Sequence, residues 1–123
     1  MENTESFVSN LLNIEVTEKS DSIHMKWTGK SIDREPAKFL TPILVDLLEK
    51  GSDKNIRICL DFRKLDYMNS STITPVIKIL ERAKRGKIPI TVLYRKSLKW
   101  QELTFSALEI FQTKDQTVQI KGM

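Results

Sequence analysis

The chain has 123 residues, enough for one domain with one core and too few for a second. With 40% hydrophobic and 29% charged residues it reads as soluble and globular; no apolar run reaches membrane-spanning length, and a lone cysteine, Cys59, excludes an internal disulfide framework. The formal net charge is +4, and the start Met1-Glu2-Asn3-Thr4-Glu5 lacks the basic and apolar stretches of a signal peptide, so a cytoplasmic location is the expectation.

Residues 1–11 form a lead-in, either flexible or a short amphipathic turn built on Phe7, Val8, Leu11 and Leu12. The folded domain is expected over 12–123. Ile14 and Val16 alternate with Glu15 and Thr17, and Ile23, Met25 and Trp27 with His24, Lys26 and Thr28. Period two marks strands with one buried face, here joined through a turn at Ser20-Asp21-Ser22. Phe39, Leu40, Ile43, Leu44, Leu47 and Leu48 then recur at helical spacing, with Asp33 as a plausible cap, Pro36 early, Pro42 as a bend or late start, and Gly51-Ser52 as the stop.

A third alternating set, Ile56, Ile58, Leu60 and Phe62, leads to a second helix from about Ser71 to Arg85. Its expected buried stripe is Ile73, Val76, Ile77, Leu80 and Ala83, and Gly86 stops it. Ile88, Ile90, Val92 and Tyr94 make a fourth strand. A third helix from about Ser97 buries Leu98, Trp100, Leu103, Ala107 and Leu108 in part, and Val118 and Ile120 close a fifth strand. A doubly covered sheet would show continuous apolar runs, so helices are expected on one face only. The strand-helix-strand units should cross right-handedly with parallel strands, in a small α/β domain.

Chemistry-bearing motifs are few. The sequence has no Gly-rich phosphate loop, no paired-cysteine motif and no His-Glu-x-x-His stretch. His24 is the only histidine and faces away from the apolar side of its strand; Cys59 shares that parity and reads as an inert thiol. Asp61 and Asp66 lack a third ligand and read as solvated or capping carboxylates. No enzyme activity, metal or cofactor is expected. Lys78, Arg82, Lys84, Arg85, Lys87, Arg95, Lys96 and Lys99 hold much of the positive charge. They read as a solvated helix face and end, with a small basic nucleic-acid-binding domain as an alternative. Glu81 and Glu102 interrupt the cluster, and no aromatic residues interleave it for base stacking.

The most informative segment is Leu60-Asp61-Phe62 followed by Leu65-Asp66-Tyr67-Met68-Asn69-Ser70-Ser71-Thr72. An apolar strand stops at a polar loop, and two hydroxyls stand where a helix begins. Asn and Ser there satisfy unpartnered helical N–H groups, and the same helix end stabilises an anion. On the residues alone the serines are either a cap or a seat for a phosphate.

This run resembles the signature of STAS domains, the SpoIIAA-like anti-sigma factor antagonists, in which an Asp-Ser-Ser/Thr-Gly-Leu-Gly stretch opens a helix after an apolar strand. Trp27-Thr28-Gly29 with Asp33 resembles the family's second strand and turn, and Ser97 through Leu108 its closing helix. The resemblance spans about residues 12–121. Asn69 stands for the usual Asp, Thr72 for Gly, and Thr74-Pro75 for Gly plus an apolar residue. Asn before the hydroxyl and Thr41-Pro42-Ile43-Leu44 in the first helix are closer to SiaC-type regulatory phosphoproteins.

The resemblance implies a single STAS-like α/β domain with a mixed, mainly parallel sheet of about five strands and helices on one face. It further implies a partner switch phosphorylated on Ser70, with Ser71 as second choice. The implied partners are an anti-sigma-type serine/threonine kinase, a PP2C-type phosphatase and a signalling enzyme such as a diguanylate cyclase; the alternative is a STAS interaction domain without phosphorylation, with Ser70 only a cap. Asn69, Ser70, Ser71, Thr72, Thr74, Lys78 and Arg82 form the expected docking surface. In sequence, Asp61 and Asp66 are the charges near the site, and no Lys or Arg adjoins it to neutralise a phosphate.

Overall fold

In the computed structural model, which describes residues 2–123, the alternating segments form one mixed sheet of seven strands. β1 (Asn3–Ser9), β2 (Leu12–Glu18) and β3 (Ser22–Ser31) make an antiparallel meander. β4 (Arg57–Asp61), β6 (Ile90–Tyr94) and β7 (Val118–Gly122) extend it in parallel from β3, and the short β5 (Leu65–Met68) pairs parallel with β3 beyond the end of β4. The two strands beyond the expected five are β1 and β5. Residues 3–9 are thus neither a loose lead-in nor a helical turn, but an edge strand held by backbone pairing to β2 from Asn3↔Glu18 to Ser9↔Leu12.

β3 serves two partners in succession, β4 from Ser22 to Lys26 and β5 from Gly29 to Ser31. The change of partner coincides with Gly29 at φ +84°. A Cβ there would lie 2.0 Å from the Leu11 carbonyl oxygen, the same oxygen that accepts the Lys30 N–H at 3.0 Å. Only glycine allows that approach.

Three helices cross between the parallel strands: α1 (Ala37–Lys54), α2 (Ser70–Gly86) and α3 (Lys99–Ser106), the last continuing into a 3-10 turn at Ala107–Phe111. Each crossover steps one strand along the sheet in the same direction. Right-handed connections therefore place all three helices on one face. Ile14, Met25, Leu60, Val92 and Ile120 lie buried on that covered side, while Glu15, His24, Lys26 and Asp61 remain on the other. The sheet is wound in a single direction and has no point where strand order reverses.

The helices keep most of their expected buried residues and depart from expectation at their boundaries and at a few positions. α1 starts at Ala37 with Pro36 at its cap, not Asp33, and runs through Gly51 and Ser52 to end at Asn55 in the left-handed conformation. Thr72, Pro75, Val76, Ile79, Leu80 and Ala83 form the buried face of α2, with Ile73 and Ile77 only half-buried beside it. After β6, Leu98 and Trp100 are half-buried and Leu108 is buried as expected, but α3 also buries Gln101 and Phe105, whereas Leu103 is 67% exposed and Ala107 is also exposed.

Gln101 explains the phase of α3. Its side-chain nitrogen donates to the carbonyls of Phe62 (2.6 Å) and Leu65 (3.0 Å), and its oxygen accepts the Arg95 N–H at 2.8 Å. Beside it Trp27, Phe62, Phe105 and Tyr94 pack in series, with ring centroids 4.6, 4.7 and 5.8 Å apart. The turn from β4 into β5 is thereby pinned to α3 and β6, which fixes where α2 begins.

The two margins of the sheet differ. Along β7, Val118 exchanges bonds with Thr113 (its N–H to the Thr113 hydroxyl, its carbonyl from the Thr113 N–H), and the Ile120 N–H donates to the Gln112 side chain. β1 pairs with β2 alone among the described residues.

Candidate functional site

β5 delivers the chain to Asn69 in extended conformation (φ −78°, ψ 168°), and this residue, not a serine, caps α2. Its side-chain oxygen accepts the Thr72 N–H at 3.1 Å and the Thr72 hydroxyl at 2.7 Å. Its side-chain NH₂ donates to the Asp33 carbonyl at 2.8 Å, and its backbone N–H to the Ser31 carbonyl at 2.9 Å. Because the Thr72 hydroxyl donates to Asn69, the Ser31 hydroxyl donates to Thr72, 2.6 Å away. Asp33 extends the network: its carboxylate accepts from Ser9 (2.9 Å) and from the Asn10 side chain at the β1–β2 turn. That carboxylate is engaged away from α1, which is why it caps nothing there.

Ser70 and Ser71 follow as the first two helical residues, both exposed. Ser71, Thr74 and Lys78 share one side of α2 and face Arg34, Lys38 and Thr41 across a shallow cleft of about 340 Å³. The expected docking set therefore divides. Ser70, Ser71, Thr74 and Lys78 are presented at the surface and Asn69 is half-buried, but Thr72 is fully buried and cannot touch a partner. Arg82 stands apart, lining a separate hollow with Arg85 and Gly86.

Charges near the helix mouth also differ from the sequence view. Lys38 and Arg34, distant in sequence, join Lys78 beside Ser71. Asp61 is engaged by Arg63, whose side chain contacts it at 2.8 and 2.9 Å and whose N–H donates at 3.0 Å. Burial works to raise the Asp61 pKa, but these bonds outweigh it and hold the carboxyl below the ordinary carboxylate range. Asp66 is exposed. Apart from Lys78 in the cleft and Arg82 beside Arg85, the basic residues read as one cluster occupy two places. Lys84, Arg85 and Lys87 close α2 before β6, and Arg95, Lys96 and Lys99 follow it, a strand of five residues or about 16 Å apart.

On the open sheet face Cys59 sits between His24 of β3 and Thr91 of β6. Burial, with a contribution from the Asp61 charge, pushes its thiol up to about 11, so it is no nucleophile at neutral pH. Among the described residues no group of three or more His, Cys, Asp or Glu side chains gathers as a metal site, and no helix is long and apolar enough to cross a membrane.

No family model and no curated protein matches the sequence. Solved structures do. SiaC of Pseudomonas aeruginosa aligns over 98% of this chain and 99% of its own with TM-score 0.61 and 14% identity. A chain of the crystal structure of the diguanylate cyclase SiaD with its activator SiaC, from the same organism, aligns over 97% and 99% with TM-score 0.61 and 17% identity. A protein from Shewanella loihica with a SpoIIAA-like fold covers 95% of this chain and 90% of its own, with TM-score 0.56 and 20% identity. The fold is SpoIIAA-like. An anti-sigma factor antagonist from Mycobacterium paratuberculosis shares it at TM-score 0.56 and 12% identity, over 95% and 91% of the two chains. At these identities the agreement is one of STAS-like architecture, matching the fold that the motif around Asn69 and Ser70 implied.

Proposed function

We propose that this chain is a non-enzymatic regulatory protein, a partner switch controlled by phosphorylation of Ser70. The observation that carries the reading is the division of labour at the start of α2. Asn69 does the capping, so the exposed Ser70 has no capping duty that a phosphate would disturb. A phosphate adds about −1.5 to −2 charge at a helix end whose partial charge favours it. The change is one of surface and leaves the core as it is. A partner packed over this mouth would meet a charge it must desolvate, and losing one central contact commonly costs a few kcal/mol, about 10²-fold in affinity.

The neighbours support a regulatory role: one is an activator found with a diguanylate cyclase, another an anti-sigma factor antagonist. The unphosphorylated chain would bind a signalling enzyme of the cyclase type or an anti-sigma-type kinase, and a PP2C-type phosphatase would restore it. Ser71 is the second candidate hydroxyl. The test is intact-mass and phosphopeptide analysis of protein from its native cells, with co-purifying proteins identified and their binding to Ser70→Ala and Ser70→Glu compared. Equal binding by both variants ends the switch reading.

A further inference from the structure

We propose that the cleft between the first turns of α1 and α2 receives an acidic segment of the partner protein. This deepens the partner-switch reading and rests on it for the identity of the docking face. Arg34, Lys38 and Lys78 line the cleft against a single carboxylate, Glu35, which is already paired with Lys38 at 3.0 Å. Two helices begin at this cleft. Their first turns read Ala37-Lys38-Phe39-Leu40 and Ser70-Ser71-Thr72-Ile73, with no acidic residue in either, and α1 has no side-chain cap. The partial positive charges of both helix starts are thus not offset by acidic residues in those turns and add to the side-chain cations.

The carboxylate that precedes α1 in the chain is occupied elsewhere: Asp33 accepts from Ser9 and Asn10. A carboxylate-bearing segment is the complement of such a surface, with Thr41, Ser71 and Thr74 supplying hydroxyls between the cations. The geometry also gives the switch its sign. Ser70 adjoins Ser71 in the cleft wall, well inside a Debye length of about 8 Å at physiological ionic strength, so a phosphate there would oppose an acidic partner directly.

The experiment is a titration of the full chain with a fluorescein-labelled oligoglutamate peptide, followed by anisotropy and by amide chemical shifts, at low and physiological salt. Shifts concentrated in 34–41 and 70–78 are expected, with affinity falling about tenfold in Arg34→Glu or Lys78→Glu and unchanged in Lys84→Glu. Thermal melts confirm that these surface variants are folded. The proposal is overturned if both cleft variants bind as wild type does, if shifts fall equally on 84–87 or 95–99, or if an oligothymidylate of matched charge binds as tightly. Ser70→Glu separates the two readings. If it keeps the peptide while the cleft variants lose it, the cleft stands and the switch falls. If the peptide does not bind yet the cellular partners distinguish Ser70→Ala from Ser70→Glu, the cleft falls and the switch stands.

Discussion

Asn69 receives both the N–H and the hydroxyl of Thr72 on one side-chain oxygen, at 3.1 and 2.7 Å. The residue that holds the helix start is therefore not the residue that the start displays, and the two are separable by substitution. Asn69→Ala removes the cap and the bond to the Asp33 carbonyl, and should lower stability by about 1–2 kcal/mol in urea denaturation. Ser70→Ala should stay within about 0.5 kcal/mol of wild type. A loss of 1 kcal/mol or so on Ser70→Ala would restore the view that Ser70 is the cap.

Thr72→Val keeps the shape and removes the hydroxyl that joins Asn69 to Ser31. The Ser31 hydroxyl, buried at 2% exposure, is left without its acceptor. A loss of about 1–3 kcal/mol is expected in the same assay.

Gln101→Leu should be among the more damaging single changes on α3. It leaves the Arg95 N–H and the Leu65 carbonyl without the side-chain partner they have now. Roughly 2–3 kcal/mol of stability should be lost. Amide exchange should rise across 62–68, because the turn into β5 loses its anchor.

The Asp61–Arg63 pair sets an acid dependence. The Asp61 pKa is lower when folded than when unfolded, so its stabilisation is present above the unfolded carboxylate value, about 3.9, and disappears as pH falls through the folded one. Arg63→Met removes the cause of that lowering. The stability gap between wild type and Arg63→Met, about 1 kcal/mol or less for this half-exposed pair, should therefore narrow as pH drops below about 4. A gap independent of pH would show that the pair does not couple to folding.

Cys59 titrates in the opposite sense. With its pKa pushed up to about 11, the folded thiol stays protonated through the range where an unfolded thiol ionises, and stability falls as pH rises from about 8.5 toward 11. At pH 8 its alkylation should be roughly 10²-fold slower in the native protein than in urea. Comparable rates in the two states would place the thiol at the surface.

The sequence was legible wherever apolar alternation reported a half-buried strand, which located β2, β3, β4, β6 and β7. β1 was missed because only Phe7 and Ser9 are partly covered, so backbone pairing holds it and no side-chain period marks it. β5 was missed because Leu65 and Met68 are buried on either side of exposed Asp66 and Tyr67, which breaks the alternation over four residues. On α3, counting apolar residues favoured Leu103 over Gln101, since a glutamine buried by three backbone bonds has no hydrophobic signal. At the site, Asn69, Ser70 and Ser71 were readable from capping preference and motif. The cations of Arg34 and Lys38 were not, because only the tertiary fold brings the start of α1 beside α2.

One margin of the sheet is plugged by Gln112 and Thr113, while the other, along Asn3–Ser9, offers its peptide groups to solvent. The address most open to growth of this sheet beyond a single molecule, in ordered assembly or in aggregation, is thus β1. That address carries no charge but Glu5, and Val8 is exposed upon it, so it is where a lysine or proline would most effectively keep crowded molecules from zipping together.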